Sequence, residues 1–192
     1  MGKKHEFRPD THREDILGKI LLTRKQRQTV LRWSLYSLIC LLALLVQDVI
    51  MSRVVIWDTT TELMPCFLLA VCILQGAESG CVFALISALI YCFSGSAPGI
   101  WCIPVLTVLA TVAAIFRQAY LRKGLSTLLL CLTAAMVLYE LGNFGIGLFL
   151  NYTRADRLGA FFLTALLSVI AVPACYPVLM SIGKIGGETW KE

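Results

Sequence analysis

From Trp33 to Gln47 the chain runs fifteen residues without a charged side chain, directly after a stretch, 1–32, that holds nine Lys and Arg. Five further apolar runs follow the first, which extends over about 33–51. They cover about 61–76, 79–94, 100–117, 125–149 and 158–180, with short polar punctuation between them. Such runs must bury on every side or sit in lipid, and six in succession leave too little polar surface to enclose them in water. The composition agrees: 58% of residues are hydrophobic and only 15% are charged, against about 25% charged in a soluble domain. Neither the period nor the length of the runs fits the strands of an outer-membrane barrel. The expected fold class is therefore all-α integral membrane, a six-transmembrane-helix bundle over 33–183. A basic cytoplasmic tail, 1–32, precedes it and a short cytoplasmic tail, 184–192, follows.

The second and third segments fall short of the ~20 residues of a full span. Only Gly76-Ala-Glu-Ser79 separates them, so they read as a tight helical hairpin. Pro65, Pro104, Pro173 and Pro177 lie within or at the ends of segments, where membrane helices tolerate them. In the tail, Ile16, Leu17, Ile20 and Leu21 recur at helical spacing among Lys19, Arg24, Lys25 and Arg27. That pattern fits an amphipathic helix on an anionic lipid surface, or a solvated tail. The tail is too long and too polar for a signal peptide, and the first apolar run reads as a retained anchor.

Basic residues set the orientation. With the N-terminus inside, six spans leave fourteen Lys and Arg on the inner side, including Arg117, Arg122, Lys123, Lys184 and Lys191. Only Arg53, Arg154 and Arg157 fall outside. The expected localisation is the cell membrane, multi-pass, with both termini cytoplasmic.

Within Ala134–Phe149 stands one carboxylate, Glu140, in the outer half of the fifth segment. Asn143 shares its helix face at i+3. Gln47 and Asp48 close the first segment on the same side. No Lys or Arg lies in the interior of any segment, so an intramembrane ion pair is not expected. Gln47, Asp48, Glu140 and Asn143 are the candidate polar cluster, serving as a ligand or partner contact or as interhelical bonding within the bundle. Gly142, Gly145 and Gly147 read as a close-packing stripe, and Ser94–Gly99 as a turn.

The eight cysteines all lie in or beside apolar runs, with no C-x-x-C pair, and read as small packing residues. Ser181-x-x-Lys184 has nucleophile spacing but none of the companion motifs of that class. Asn151-Tyr-Thr153 has the form of a glycosylation acceptor, which matters only in a secretory pathway. The chain holds no P-loop, dinucleotide fingerprint, zinc pattern or aromatic-studded basic groove. No enzyme activity, cofactor, metal site or nucleic-acid partner is expected.

Gln47 at the end of the first segment, Thr61-Glu62-Leu63 at the start of the second, Gly76–Gly80 opening the third and Ser94–Gly99 closing it stand in a recognisable order. With the basic loop Arg117–Lys123, they resemble the bacterial rod shape-determining MreD family over about residues 33–183. Two positions depart from that pattern: a Pro-Asp-Leu start is replaced by Thr61-Glu62-Leu63, and an acidic residue late in the third span is replaced by Tyr91. The resemblance implies a bundle similar to the substrate-binding components of energy-coupling-factor vitamin transporters. It also implies a scaffold of the cell-elongation machinery that binds MreC and acts with MreB, RodA and a class B penicillin-binding protein in lateral peptidoglycan synthesis. The alternative is a vitamin-binding transporter component. The Ala-x-x-x-Ala docking pattern of those proteins is missing from the first segment, where Ala43 stands alone.

Overall fold

The computed structural model describes residues 24–53, 59–120 and 124–185. Within them the chain is all-helical. The helices are α1 (Arg24–Val49), α2 (Leu63–Gln75), α3 (Ala77–Phe93), α4 (Cys102–Tyr120), α5 (Leu125–Phe149), α6 (Leu158–Ile170) and α7 (Val172–Gly183). Three of them, α1, α4 and α5, are long and apolar enough to cross a membrane; α6 and α7 make a fourth if the bent pair is one span. The chain is thus a helical membrane protein. The hairpin helices α2 and α3 are shorter, and a count of six crossings depends on them.

Two boundaries differ from the sequence expectation. Helix α1 is described from Arg24 and runs without a break to Val49, so residues 24–32 are continuous with the first apolar segment, while the apolar positions Ile16, Leu17, Ile20 and Leu21 of the expected surface helix lie outside the described residues. Residues 1–23, including Lys19, lie outside the described residues. The last apolar run is two helices bent by 49° around Ala171. Pro173, in the first turn of α7, accounts for the break: its ring has no N–H and crowds the preceding turn.

Burial follows the helical period. On α5 the enclosed positions are Leu128, Cys131, Leu132, Ala135, Met136, Tyr139, Glu140, Asn143 and Gly147, one stripe at i, i+3, i+4. Large apolar side chains such as Leu38, Leu45, Val82, Ile86, Val112 and Leu130 stand exposed. So broad an apolar exterior is what a lipid-facing surface requires.

Helix α2 has a different environment. Every residue from Leu63 to Leu74 is buried, and the helix packs against α1, α3, α4, α5, α6 and α7. It is the centre of the bundle, enclosed by the other helices. At ~1.5 Å per residue its thirteen residues reach about 20 Å, short of a hydrocarbon core of ~30 Å. Its ends must be satisfied by neighbours, because unpaired backbone groups at membrane depth cost several kcal/mol each.

They are. At the start, the Glu62 N–H donates to Ser168 Oγ of α6 at 2.8 Å, and the Met64 N–H donates to Gln47 Oε1 of α1 at 2.9 Å. Pro65 has no N–H to satisfy. At the finish, Arg117 Nη1 of α4 donates to the carbonyls of Ile73 at 2.9 Å and Leu74 at 3.3 Å. The positive charge also complements the negative end of the helix dipole. Gln75 Nε2 donates to the Tyr36 hydroxyl, which donates onward to the Leu179 carbonyl of α7. Arg117 therefore corrects the sequence reading: it is a buried residue of α4 rather than a loop charge.

Helix α1 finishes at the upper end of the bundle. Arg117, Tyr36 and Leu179 mark the lower end. The α2–α3 turn at the lower end needs Gly76, whose φ is +98° and whose missing Cβ leaves room for Gln118. The close glycine contact of the fold is Gly80 of α3. A Cβ there would lie 3.2 Å from Cys72 Cα of α2, and Cys72 Sγ donates to the Gly80 carbonyl at 3.2 Å. The expected stripe of Gly142, Gly145 and Gly147 packs no helix tightly. Gly142 makes ordinary contact with Val105, Gly145 faces open space and Gly147 accommodates Thr153 of the following loop.

Candidate functional site

Residues 59–62, just before α2, lie between two adjoining polar crevices at the upper end. Thr60 and Glu62 line both. The first crevice, about 320 Å³, is completed by Gln47, Asp48, Thr61 and Ser96. Ser96 Oγ donates to Asp48 Oδ1 at 2.6 Å, which pins the Ser94–Gly99 turn to the end of α1. Gly95 takes φ +80° there. Tyr91, fully buried on α3, donates to the Ser96 carbonyl at 3.3 Å and, at a longer 3.4 Å, to Glu62 Oε2. The tyrosine at the position where the resemblance leads one to expect an acid thus meets the carboxylate of Glu62 across the hairpin.

The second crevice, about 340 Å³, runs from the loop after α5 down between α5 and α6. Tyr152, Thr153 and Arg157 line its mouth. Thr59, Thr164 and Phe161 line its walls, and Glu140 and Glu62 lie within it. Glu140 is nine residues before the end of α5, about 14 Å along the axis at ~1.5 Å per residue. Its residue is 2% exposed, and its Oε1 has no hydrogen-bond partner among the described residues. On the same face, Asn143 Oδ1 and the Tyr139 hydroxyl are likewise buried without a partner.

The four expected cluster residues therefore separate into distinct roles. Gln47 caps α2. Asp48, exposed, anchors a turn. Glu140 and Asn143 share a buried face, yet neither Glu140 Oε1 nor Asn143 Oδ1 finds a donor. Glu62 joins the two crevices, and the sequence reading did not include it among the site residues. The signal for it was present: an acidic residue immediately before an apolar helical run is a helix-start feature. Of the four residues expected at a lipid surface, Arg27 is exposed on the first turn of α1. Lys19 and the side chains of Arg24 and Lys25 lie outside the description.

Chemically, the second crevice is rich in hydrogen-bond acceptors and hydroxyls, walled partly by aromatic rings. Phe161 itself packs edge-on against Phe144, with ring centroids 5.4 Å apart. Among the described residues no three His, Cys, Asp or Glu side chains come together as metal ligands. No family model matches the chain, and no curated protein or solved structure is significantly similar to it.

Proposed function

We propose that this chain is an MreD-like scaffold of the bacterial cell membrane. It supports cell shape and lateral peptidoglycan synthesis by binding an MreC-like protein through exposed helix faces and upper loops, and performs no chemistry of its own. The observation that supports this reading is the cap on α2. Gln47 and the Thr61-Glu62-Leu63 start, separate landmarks of the resemblance, meet in space where Gln47 Oε1 receives the Met64 N–H. A shared order of motifs thus corresponds to one physical unit, the enclosure of a short central helix. In this reading α2 and α3 count as crossings, giving six. The lower end, with the start of α1, Arg117 and Lys184, faces the cytoplasm, and the upper end faces outward. MreB, RodA and a class B penicillin-binding protein are the wider partners.

Co-purification of the full chain with an MreC-like protein from the same membrane tests the scaffold, together with depletion in a rod-shaped host. Rounded cells and a stable complex are expected. Cells that keep their shape but lose uptake of a vitamin would overturn the scaffold and favour the second reading, a substrate-binding component of an energy-coupling-factor transporter. The upper crevice around Glu140 is the specific feature in favour of that alternative.

A further inference from the structure

Glu140 Oε1 and Asn143 Oδ1, buried acceptors of α5, lie beside the Tyr139 hydroxyl, and none of the three atoms has a hydrogen-bond partner among the described residues. Glu140 is enclosed to 2% exposure with Oε1 unsatisfied, and Asn143 Oδ1, one turn further on, is in the same condition. An unsatisfied buried polar atom is costly to keep, and three on one face, beside a crevice of about 340 Å³ whose mouth carries Arg157, mark a place built around something else. The second carboxyl in the crevice, Glu62, adds acceptors. Three properties of the missing group follow. It must donate hydrogen bonds, because Glu140 Oε1 and Asn143 Oδ1 are acceptors and the Tyr139 O–H can serve only one of them. It must favour carboxylates. It must tolerate an aromatic wall, because Tyr152 and Phe161 line the space. An ammonium carries three N–H donors and a guanidinium five, and both bind well over aromatic faces. A bare metal ion would leave most of such a volume unfilled.

We propose that the crevice between α5 and α6 is a binding site for an organic ammonium or guanidinium group, held by the carboxyls of Glu140 and Glu62 against Phe161. The group belongs to a free small cation or to a Lys or Arg side chain of a bound polypeptide. The inference goes beyond the scaffold reading and stands without it, since it depends on the crevice alone.

Equilibrium dialysis with the full chain in lipid nanodiscs tests it. The probes are methylguanidinium, n-butylammonium and an N-acetylated, C-amidated Gly-Arg-Gly peptide, with tetramethylammonium as a cation of similar charge that lacks N–H donors. Saturable one-to-one binding of at least one donor probe is expected, at least tenfold tighter than tetramethylammonium. Tighter binding of the small cations assigns a free ligand, and tighter binding of the peptide assigns a polypeptide side chain. Glu140→Gln is close to isosteric and should weaken the best probe at least tenfold. Glu62→Gln, at the other wall, should weaken it as well. Because either variant could fold poorly, the donor-versus-tetramethylammonium comparison on the unmodified chain decides by itself. Absence of saturable binding by all three donor probes would overturn the proposal. So would equal binding of tetramethylammonium, or unchanged affinity in a folded Glu140→Gln protein.

Discussion

Arg117 on α4 closes the last turn of α2: its Nη1 lies 2.9 Å from the Ile73 carbonyl oxygen and 3.3 Å from that of Leu74. The residue is only 7% exposed. A cation is held inside the bundle because its partners are backbone dipoles at a helix end, where positive charge is favoured.

Replacing it should be costly. Arg117→Met keeps an unbranched stem and removes both hydrogen bonds, leaving two buried carbonyls. Each such group costs about 1–3 kcal/mol, so a loss of about 2–6 kcal/mol is expected in denaturant titration in mixed micelles. Arg117→Lys retains the charge with a single donor centre and should recover roughly half of the loss. A methionine variant as stable as the parent would remove the cap from the account.

At the other end, Gln47→Leu deprives the Met64 N–H of its acceptor and should cost about 1–3 kcal/mol. The two caps are separated by nearly the whole of α2, about 15 Å at ~1.5 Å per residue. In the Gln47→Leu, Arg117→Met double variant the losses should add to within about 0.5 kcal/mol. Strong departure from additivity in the same titration would mean that the two ends communicate through α2.

Two glycines should behave oppositely. A Cβ at Gly80 meets the α2 backbone at Cys72 Cα, which cannot move aside like a flexible side chain. Gly80→Ala should destabilise by about 1–3 kcal/mol. Gly145 faces open space on α5, and Gly145→Ala should be neutral or stabilising by up to about 1 kcal/mol, the difference in helix propensity. Thermal unfolding of the two purified variants distinguishes them.

Orientation can be read with reporter fusions. A cytoplasm-active reporter joined after Gly183 should be active, and a periplasm-active one placed at Arg154 should be active too. The reverse pattern at either site would contradict the even number of crossings inferred from the basic residues.

The positions of the helices were legible because apolar length is a strong signal. The run expected over 125–149 is α5 to the residue, and the short hairpin expected at Gly76–Ser79 turns at Gly76. What hydropathy could not distinguish is a helix facing lipid from a helix enclosed by other helices, since both are apolar all round. The central place of α2 was hidden for that reason. Its caps were hidden for another: Gln47 and Arg117 reach it from far along the chain, and no local pattern encodes that. Glu140 and Asn143 were found because a polar residue in an apolar run stands out. Their place on the buried stripe is readable from the spacing with Tyr139 and Met136. Glu62 was passed over because at the edge of a segment a carboxylate resembles ordinary punctuation.

The remote closure of α2 also bears on the order in which the protein can be made. When α2 and α3 have left the ribosome, the Ile73 and Leu74 carbonyls have no Arg117, which lies 44 and 43 residues further on. At about 5–20 residues per second, Arg117 emerges some two to nine seconds after the carbonyls that it caps. Ser168, which receives the Glu62 N–H, follows 106 residues after its partner. Until then the hairpin carries open backbone groups and is too short to cross the bilayer unaided. It must wait at the interface, or beside the insertion machinery, for the later helices to draw it in. The central helix of the finished bundle is therefore among the first to be synthesised and among the last to be secured.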